Sequence, residues 1–246
     1  MKKMVYVDPG FKHLRDDIET YFSAAGDGRS GILSQRGEMS ETVKIGDVEV
    51  DVRWCGGGSW LDAVALRSGL NSQAKRMYNE SLWLDAHGVE VPKAIGYIEI
   101  IGGGVVGRSA FLSRHRKLEA FLPMLREGMQ ESKQAMALFA EMLHRLHDLG
   151  IFGHDVLMRN IQFESFTHKP VWMVDGKLSI QHKAIPSRGT IRDLESMGLS
   201  AQGFKLLVEG YLESTMESAY DSFEHWAFYQ DIQKWADKQQ QETVWQ

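Results

Sequence analysis

The fold of this chain is decided by residues 149–163, LGIFGHDVLMRNIQF, followed after a short polar loop by residues 171–176, VWMVDG. An aspartate, four residues, an asparagine, two short strands and an Asp-Gly pair occur there in that order. Phosphoryl-transfer sites need one carboxylate beside the attacking hydroxyl, and an asparagine oxygen with a second carboxylate to hold magnesium against the phosphates. Magnesium prefers such hard oxygen ligands. The stretch therefore predicts a phosphoryl-transfer site.

In the rest of the chain, the N-terminal part shows mainly strand patterns and the C-terminal part mainly helical ones. Alternating or apolar runs predict strands at 41–45, 48–54, 94–101, 105–112, 161–163 and 171–174. Apolar spacing predicts helices at about 73–87, 118–125, 132–149 and from 194 onward. We expect an α+β fold of two lobes: a loosely tied arm at 1–30, an N-lobe at 31–113 and a C-lobe at 114–246.

Composition excludes several classes of protein. The chain has 246 residues, 28 basic and 33 acidic side chains, a net charge of −5 and one cysteine, Cys55. One cysteine cannot build a disulfide scaffold or a cysteine-cluster metal site, and a pI near 6.0 is unlike that of a general nucleic-acid binder. Charged residues follow Met1 too soon for a signal peptide, and no uncharged apolar run is long enough to span a bilayer. We expect a cytoplasmic protein with no nucleic-acid partner.

Four segments together carry a resemblance to a known family. They are VDVRWCGGG from residue 50, MYNESLWLDAHGVEVPKAIGYIE from residue 77, LHDLGIFGHDVLMRNIQF from residue 146 and VWMVDGK from residue 171. The chain resembles the lipopolysaccharide kinase family, which comprises Kdo kinases and the related core heptose kinases, over about residues 36–199. These bacterial enzymes have a bilobal protein-kinase-like fold, so the resemblance implies a small β-rich N-lobe and a short helical C-lobe.

The resemblance also implies roles for five side chains. Asp155 corresponds to the catalytic base, and Asn160 and Asp175 correspond to the magnesium ligands. Glu80, on the N-lobe helix, corresponds to the carboxylate that pairs with a basic residue of the third strand. That position holds Arg53, where kinase-like folds mostly use lysine. Arginine presents a planar fork of donors rather than a point charge.

The family further implies ATP and Mg²⁺ as cofactors, with Gly37 in the loop that covers the nucleotide. The implied acceptor is a sugar of the lipid A–core, with Kdo as the first candidate, reached at the cytoplasmic face of the inner membrane. The basic run at residues 114–117 is suited to an anionic acceptor or membrane surface. We therefore expect a peripheral membrane enzyme that phosphorylates a sugar hydroxyl of the lipopolysaccharide inner core.

Other interpretations of the same residues remain open. A protein of the same fold could phosphorylate a small-molecule hydroxyl, or act without catalysis as a pseudokinase that binds or regulates. His144, His147 and His154 allow a metalloprotein, although they lack the spacing of common zinc sites. Residues 102–107 match G-x-G-x-x-G, but a strand pattern rather than a helix follows them, so we interpret them as a hairpin turn.

Overall fold

A computed structural model describes eight stretches of the chain, which divides into two compact units. The described residues are 2–24, 38–56, 71–102, 105–120, 132–164, 167–177, 187–219 and 223–244. The first unit comprises Met1–His87, Val91–Arg116 and Val174–Leu178, and the second comprises Gly88–Glu90, Lys117–Met173 and Ser179–Gln246. Asp175 therefore belongs to the first unit, whereas Asp155 and Asn160 belong to the second.

The first unit is built on a five-stranded antiparallel sheet with the order β1-β4-β5-β3-β2. Its strands are β1 (Lys2–Val7), β2 (Glu38–Ile45), β3 (Val48–Gly56), β4 (Ala94–Gly102) and β5 (Val105–Arg114). The described part of this unit also contains a short 3₁₀ helix (Pro9–Leu14), helix α1 (Arg15–Ala24) and helix α2 (Gln73–Ala86). Val50 and Val52 of β3 are fully buried in the core and alternate with the half-buried Arg53, as the sequence pattern predicts.

The described part of the expected loose arm, residues 2–24, is instead an integral part of this unit. Strand β1 pairs with β4 along its whole length, from Lys2↔Ile101 to Val7↔Gly96. Leu14, Ile18 and Phe22 recur every fourth residue and are buried in the same core. The charged residues between them lie on the solvent side. Because these charges dominate the composition of the stretch, the helical spacing of its apolar residues was missed.

The hairpin predicted at residues 102–107 is confirmed by the two strands that form it, while residues 103 and 104 lie outside the described stretches. Strands β4 and β5 pair in antiparallel fashion up to Gly102↔Val105. Because a strand follows these glycines, there is no helix N-terminus here to bind phosphate. The residues that match G-x-G-x-x-G therefore belong to a β-hairpin.

Five helices form most of the described part of the second unit. They are α3 (Lys133–Asp148), α4 (His154–Asn160), α5 (Ser187–Ser196), α6 (Ala201–Ala219) and α7 (Phe223–Val244). The Ser132 side chain accepts a hydrogen bond from the Ala135 N–H at 3.2 Å and so caps α3. Helix α3 packs on α6, and α6 packs on α7. None of the helices that the structure describes is long and apolar enough to cross a membrane.

A small antiparallel sheet, in the order β6-β7-β8, lies in the same unit. Its strands are β6 (Leu118–Ala120), β7 (Ile161–Glu164) and β8 (Pro170–Trp172). The hairpin of β7 and β8 confirms the two predicted short strands. The predicted helix at 118–125 is wrong at its start, because residues 118–120 pair with the edge of β7 and gain backbone hydrogen bonds there; residues 121–125 lie outside the described stretches.

Candidate active site

In the second unit, helix α4 carries two of the predicted site residues. Residues 154–160 form two helical turns, with Asp155 in the first turn and Asn160 at the end. Asp155 is exposed, and no hydrogen bond or ion pair holds its carboxylate among the described residues. Asn160 is buried, and its backbone oxygen accepts a hydrogen bond from the Met173 N–H at 2.6 Å. The Asn160 side chain makes no hydrogen bond within the described part of the chain.

The start of α4 is fixed by a residue that the sequence analysis missed. Gly153 precedes the helix with φ of +108°, a backbone conformation that favours glycine. Its N–H donates to the Asp193 Oδ2 at 2.8 Å. Asp193 lies on α5 and is buried. A buried carboxylate that accepts a backbone N–H forms a strong, charge-assisted hydrogen bond, so Asp193 anchors the turn that leads to Asp155.

Asp193 is in turn part of a buried polar cluster. The His147 Nε2 lies 3.5 Å from the Asp193 Oδ2, and the His147 Nδ1 lies 2.8 Å from the Tyr211 hydroxyl oxygen. Burial lowers the pKa of His147 and raises that of Tyr211, so the ring is neutral and the hydroxyl keeps its proton. We therefore assign the tautomer in which the Tyr211 hydroxyl donates to Nδ1 and the Nε2–H faces the Asp193 carboxylate.

The neighbouring histidine of α3 also has a partner within its helix. The His144 Nδ1 lies 3.3 Å from the Asp148 Oδ2. Burial lowers the pKa of His144 to about 4 and raises that of Asp148 to about 6. Across the described residues, no group of three or more His, Cys, Asp or Glu side chains is placed to hold a metal ion; the His154 side chain lies outside the description.

In the first unit, two predicted site residues bind the backbone on either side of Asp175. The Arg53 Nη1 donates to the Val174 carbonyl oxygen at 2.6 Å, and the Glu80 Oε2 accepts from the Gly176 N–H at 2.9 Å. No ion pair joins Arg53 to Glu80 in the described part of the chain, in place of the direct pair expected from the resemblance. Both side chains therefore hold residues 174–176, which we call the 174–176 segment.

Helix α2 supplies two further contacts to this segment, neither of which was predicted. The Gln73 Nε2 donates to the Asp175 carbonyl oxygen at 3.2 Å, and the Arg76 Nε donates to the Gly176 carbonyl oxygen at 3.0 Å. Gln73, Arg76 and Glu80 are spaced i, i+3 and i+7, so they share one face of the helix. That spacing can be read from the sequence, but it indicates a shared role only once Glu80 is known to contact the Asp175-Gly176 pair.

The segment also packs closely on α2. Gly176 has φ of +70°, and a Cβ added to it would lie 3.0 Å from the Gln73 carbonyl oxygen and 3.0 Å from the Met77 Cγ. The Asp175 Oδ1 accepts the Lys177 N–H at 2.9 Å, which orients the carboxylate. Gly37, the remaining predicted site residue, lies outside the described residues.

Comparison with known proteins bears on the fold. No protein-family model and no curated protein sequence matches the chain. A solved structure of WaaP in complex with acyl carrier protein matches 97% of this chain and 99% of its own, with a TM-score of 0.50 and 14% identity. The chain has a protein-kinase-like fold. An aminoglycoside-3'-phosphotransferase of type VIII aligns over 90% of this chain and 98% of its own at 14% identity, with a TM-score of 0.44. The likeness to WaaP confirms the predicted fold class.

Proposed function

We propose that this protein transfers the γ-phosphoryl group of ATP to a sugar hydroxyl of the lipopolysaccharide inner core, with Kdo as the first acceptor to test. The protein-kinase-like fold supports a phosphotransferase in general. The four segments that resemble lipopolysaccharide kinases support this acceptor class, and the likeness to WaaP agrees with them. At 14% identity that likeness is one of fold, so the acceptor rests on the sequence resemblance.

The observation that carries the proposal is the state of Asp155. Its carboxylate is exposed and unengaged among the described residues, at the start of a helix that the Gly153–Asp193 hydrogen bond anchors. A carboxylate with no partner of its own is available to accept a hydrogen bond from an incoming hydroxyl. In the proposed reaction Asp155 orients that hydroxyl and takes its proton as the oxygen attacks the γ-phosphorus, while the bond from that phosphorus to the bridging oxygen breaks and ADP leaves.

Magnesium suits the donor groups that this chain offers. The Asn160 amide oxygen and the Asp175 carboxylate are hard oxygen ligands, and one carboxylate with one amide is a common protein contribution to a magnesium site. Because the Asn160 side chain makes no hydrogen bond within the described stretches, its oxygen is available. We propose that these two residues hold Mg²⁺, which would neutralise charge on the phosphates of bound ATP.

Arg53 is proposed to bind the donor phosphates while it holds the 174–176 segment. Its Nη1 is engaged by the Val174 carbonyl oxygen, whereas its Nε and Nη2 make no hydrogen bond among the described residues. A guanidinium can serve two acceptors at once, because its donors point in fixed, different directions. Glu80 contributes to this site by holding the Gly176 N–H.

We also propose that the protein works peripherally at the cytoplasmic face of the inner membrane. The acceptor proposed here is a lipid, so the reaction must occur at a membrane surface. The run at residues 114–117 contains three basic residues and a histidine, and such clusters attract anionic lipid at roughly 1 kcal/mol per charge. His115 is committed in part to the sheet, since its Nδ1 lies 2.8 Å from the Asp51 Oδ1.

Radiolabelled transfer from Mg-[γ-³²P]ATP to purified Kdo–lipid A tests the proposal. We expect label on the Kdo sugar with the wild-type chain and none with Asp155→Asn, which should still be stabilised by Mg-ATP in a thermal-shift assay. Asp85→Asn is the matched control, because Asp85 is also an exposed, unengaged carboxylate on a helix.

The outcomes separate the alternatives. Label on a small-molecule hydroxyl, with none on Kdo–lipid A, would replace the acceptor and keep the kinase. The absence of any thermal shift at millimolar Mg-ATP would instead indicate a pseudokinase, since a ligand that binds the folded state must stabilise it. Full activity of Asp155→Asn would remove the assigned base.

A further inference from the structure

We infer that Gln73 and Arg76 are positioning residues that attach helix α2 to the 174–176 segment and thereby set the position of the Asp175 carboxylate. Neither residue has a role in the family resemblance. The part of the inference that concerns magnesium rests on the proposed function. The attachment itself does not, because it is a set of hydrogen bonds within the first unit.

The contacts from α2 fix the backbone that follows the Asp175 Cα, and Arg53 holds the Val174 carbonyl oxygen that precedes it. Gln73 binds the carbonyl oxygen of Asp175, Arg76 binds the carbonyl oxygen of Gly176, and Glu80 binds the N–H of Gly176. Three consecutive polar groups of the segment are thus held by one helix face. Because the peptide groups before and after Asp175 are both tethered, the Asp175 side chain retains freedom only about its own χ angles.

A local turn removes most of the freedom that remains. The Asp175 Oδ1 accepts a hydrogen bond from the Lys177 N–H at 2.9 Å. The Oδ2 is the carboxylate oxygen that makes no hydrogen bond within the described part of the chain. Any movement of α2 must therefore carry the segment and this carboxylate with it. We conclude that the α2 contacts, rather than the short turn alone, determine where the carboxylate lies.

Substitution of Arg76 can distinguish this positioning role from a stabilising one. Its side chain is exposed, and it bridges the Gly176 carbonyl oxygen at 3.0 Å and the Asn71 carbonyl oxygen at 3.2 Å. Because its side chain is exposed, water replaces part of its hydrogen bonding when it is removed, so the free energy of unfolding should fall by no more than the contribution of one such hydrogen bond. The tether between α2 and the segment would nevertheless be lost.

The experiment compares Arg76→Gln with Lys75→Gln, which removes one positive charge from the same helical turn without touching the segment. The first measurement is hydrogen exchange of the Gly176 and Lys177 amides in the metal-free protein. We expect exchange about tenfold faster in Arg76→Gln, because one charged hydrogen bond fewer holds the segment, and wild-type exchange in Lys75→Gln. Gln73→Ala should act in the same direction.

The second measurement is Mn²⁺ binding by electron paramagnetic resonance, with a non-hydrolysable ATP analogue present. We expect Arg76→Gln to bind Mn²⁺ about tenfold more weakly than wild type. Arg76→Lys should recover part of the affinity, because lysine can still donate to the Gly176 carbonyl. A purely structural role would lower the unfolding midpoint in urea and leave the Mn²⁺ affinity at the wild-type value, so that midpoint is measured for each variant.

The outcomes distinguish this inference from the proposed function. Unchanged exchange at Gly176 and Lys177 in both Arg76→Gln and Gln73→Ala would overturn the attachment. Faster exchange with unchanged Mn²⁺ affinity would overturn the positioning role. If the wild-type chain binds neither Mn²⁺ nor the nucleotide analogue, the proposed function fails and the positioning role fails with it, whereas the exchange result still decides the attachment.

Discussion

Replacing Arg53 by lysine should impair this protein, although the family resemblance matches Arg53 to a position where kinase-like folds mostly use lysine. Arg53 is half-buried on β3 between two buried residues, so the direction in which its side chain leaves the sheet is fixed. Its Nη1 donates to the Val174 carbonyl oxygen at 2.6 Å, and its other nitrogens are not engaged among the described residues. A lysine has a single ammonium group, which cannot serve the carbonyl and a phosphate in the same fixed geometry.

The magnitude follows from the loss of one of these two interactions. A hydrogen bond from a charged donor contributes about 1.5–3 kcal/mol, and a partly buried site keeps much of that value. If the lysine keeps the Val174 contact, Mg-ATP affinity should fall at least about tenfold, since about 1.4 kcal/mol corresponds to a factor of ten. If it turns to the phosphates, the free energy of unfolding should fall by about 1–2 kcal/mol instead.

Urea denaturation and isothermal titration calorimetry with Mg-ATP measure the two quantities on the same Arg53→Lys sample. Arg53→Gln is the companion variant, which retains a hydrogen-bond donor and loses the charge. An Arg53→Lys protein with wild-type stability and wild-type nucleotide affinity would refute the reasoning, because a single ammonium would then suffice for both contacts.

Three further predictions concern stability. Asp193→Ala leaves the Gly153 N–H without its acceptor and should lower the free energy of unfolding by about 1–3 kcal/mol, with a parallel loss of phosphate transfer; urea titration and the transfer assay measure both effects. Gly176→Ala should be more destabilising than Gly198→Ala, because both have positive φ but only Gly176 lacks room for a Cβ, and equal urea midpoints would contradict this. Burial raises the Asp148 pKa from 3.8 to about 6, so the folded state binds more protons and stability falls as pH rises from about 4 to 6. Asp148→Asn should therefore gain about 2 kcal/mol relative to wild type between pH 4 and 7, measured by urea denaturation at both pH values.

Much of the fold was predictable because hydrophobic periodicity reports which face of an element is buried. The alternation in β3 and the hairpin of β7 and β8 followed from that pattern. The N-terminal arm was mispredicted because every fourth residue of its helix is buried while charged residues dominate its composition. The start of the predicted helix at 118–125 became β6, since the edge of a sheet offers backbone partners that local propensity does not reveal.

The candidate site was predictable only in part. The order of Asp155, Asn160 and Asp175 is a property of the sequence, and the described residues place the first two on one short helix. The supports of these residues were not predictable: Gly153 is held from 40 residues away by Asp193, and Asp175 is held by α2 from 102 residues away through Gln73. Such contacts depend on how elements pack, and no local pattern encodes them.

The sequence by itself determined which chemistry is available: two carboxylates, an amide and an arginine, in an order typical of phosphoryl transfer. Only the tertiary structure decided what holds each group. It assigned Arg53 and Glu80 to the backbone around Asp175 rather than to each other. The physical reason is that backbone N–H and C=O groups next to a site residue must be satisfied, and which side chain reaches them depends on the packing of the whole unit.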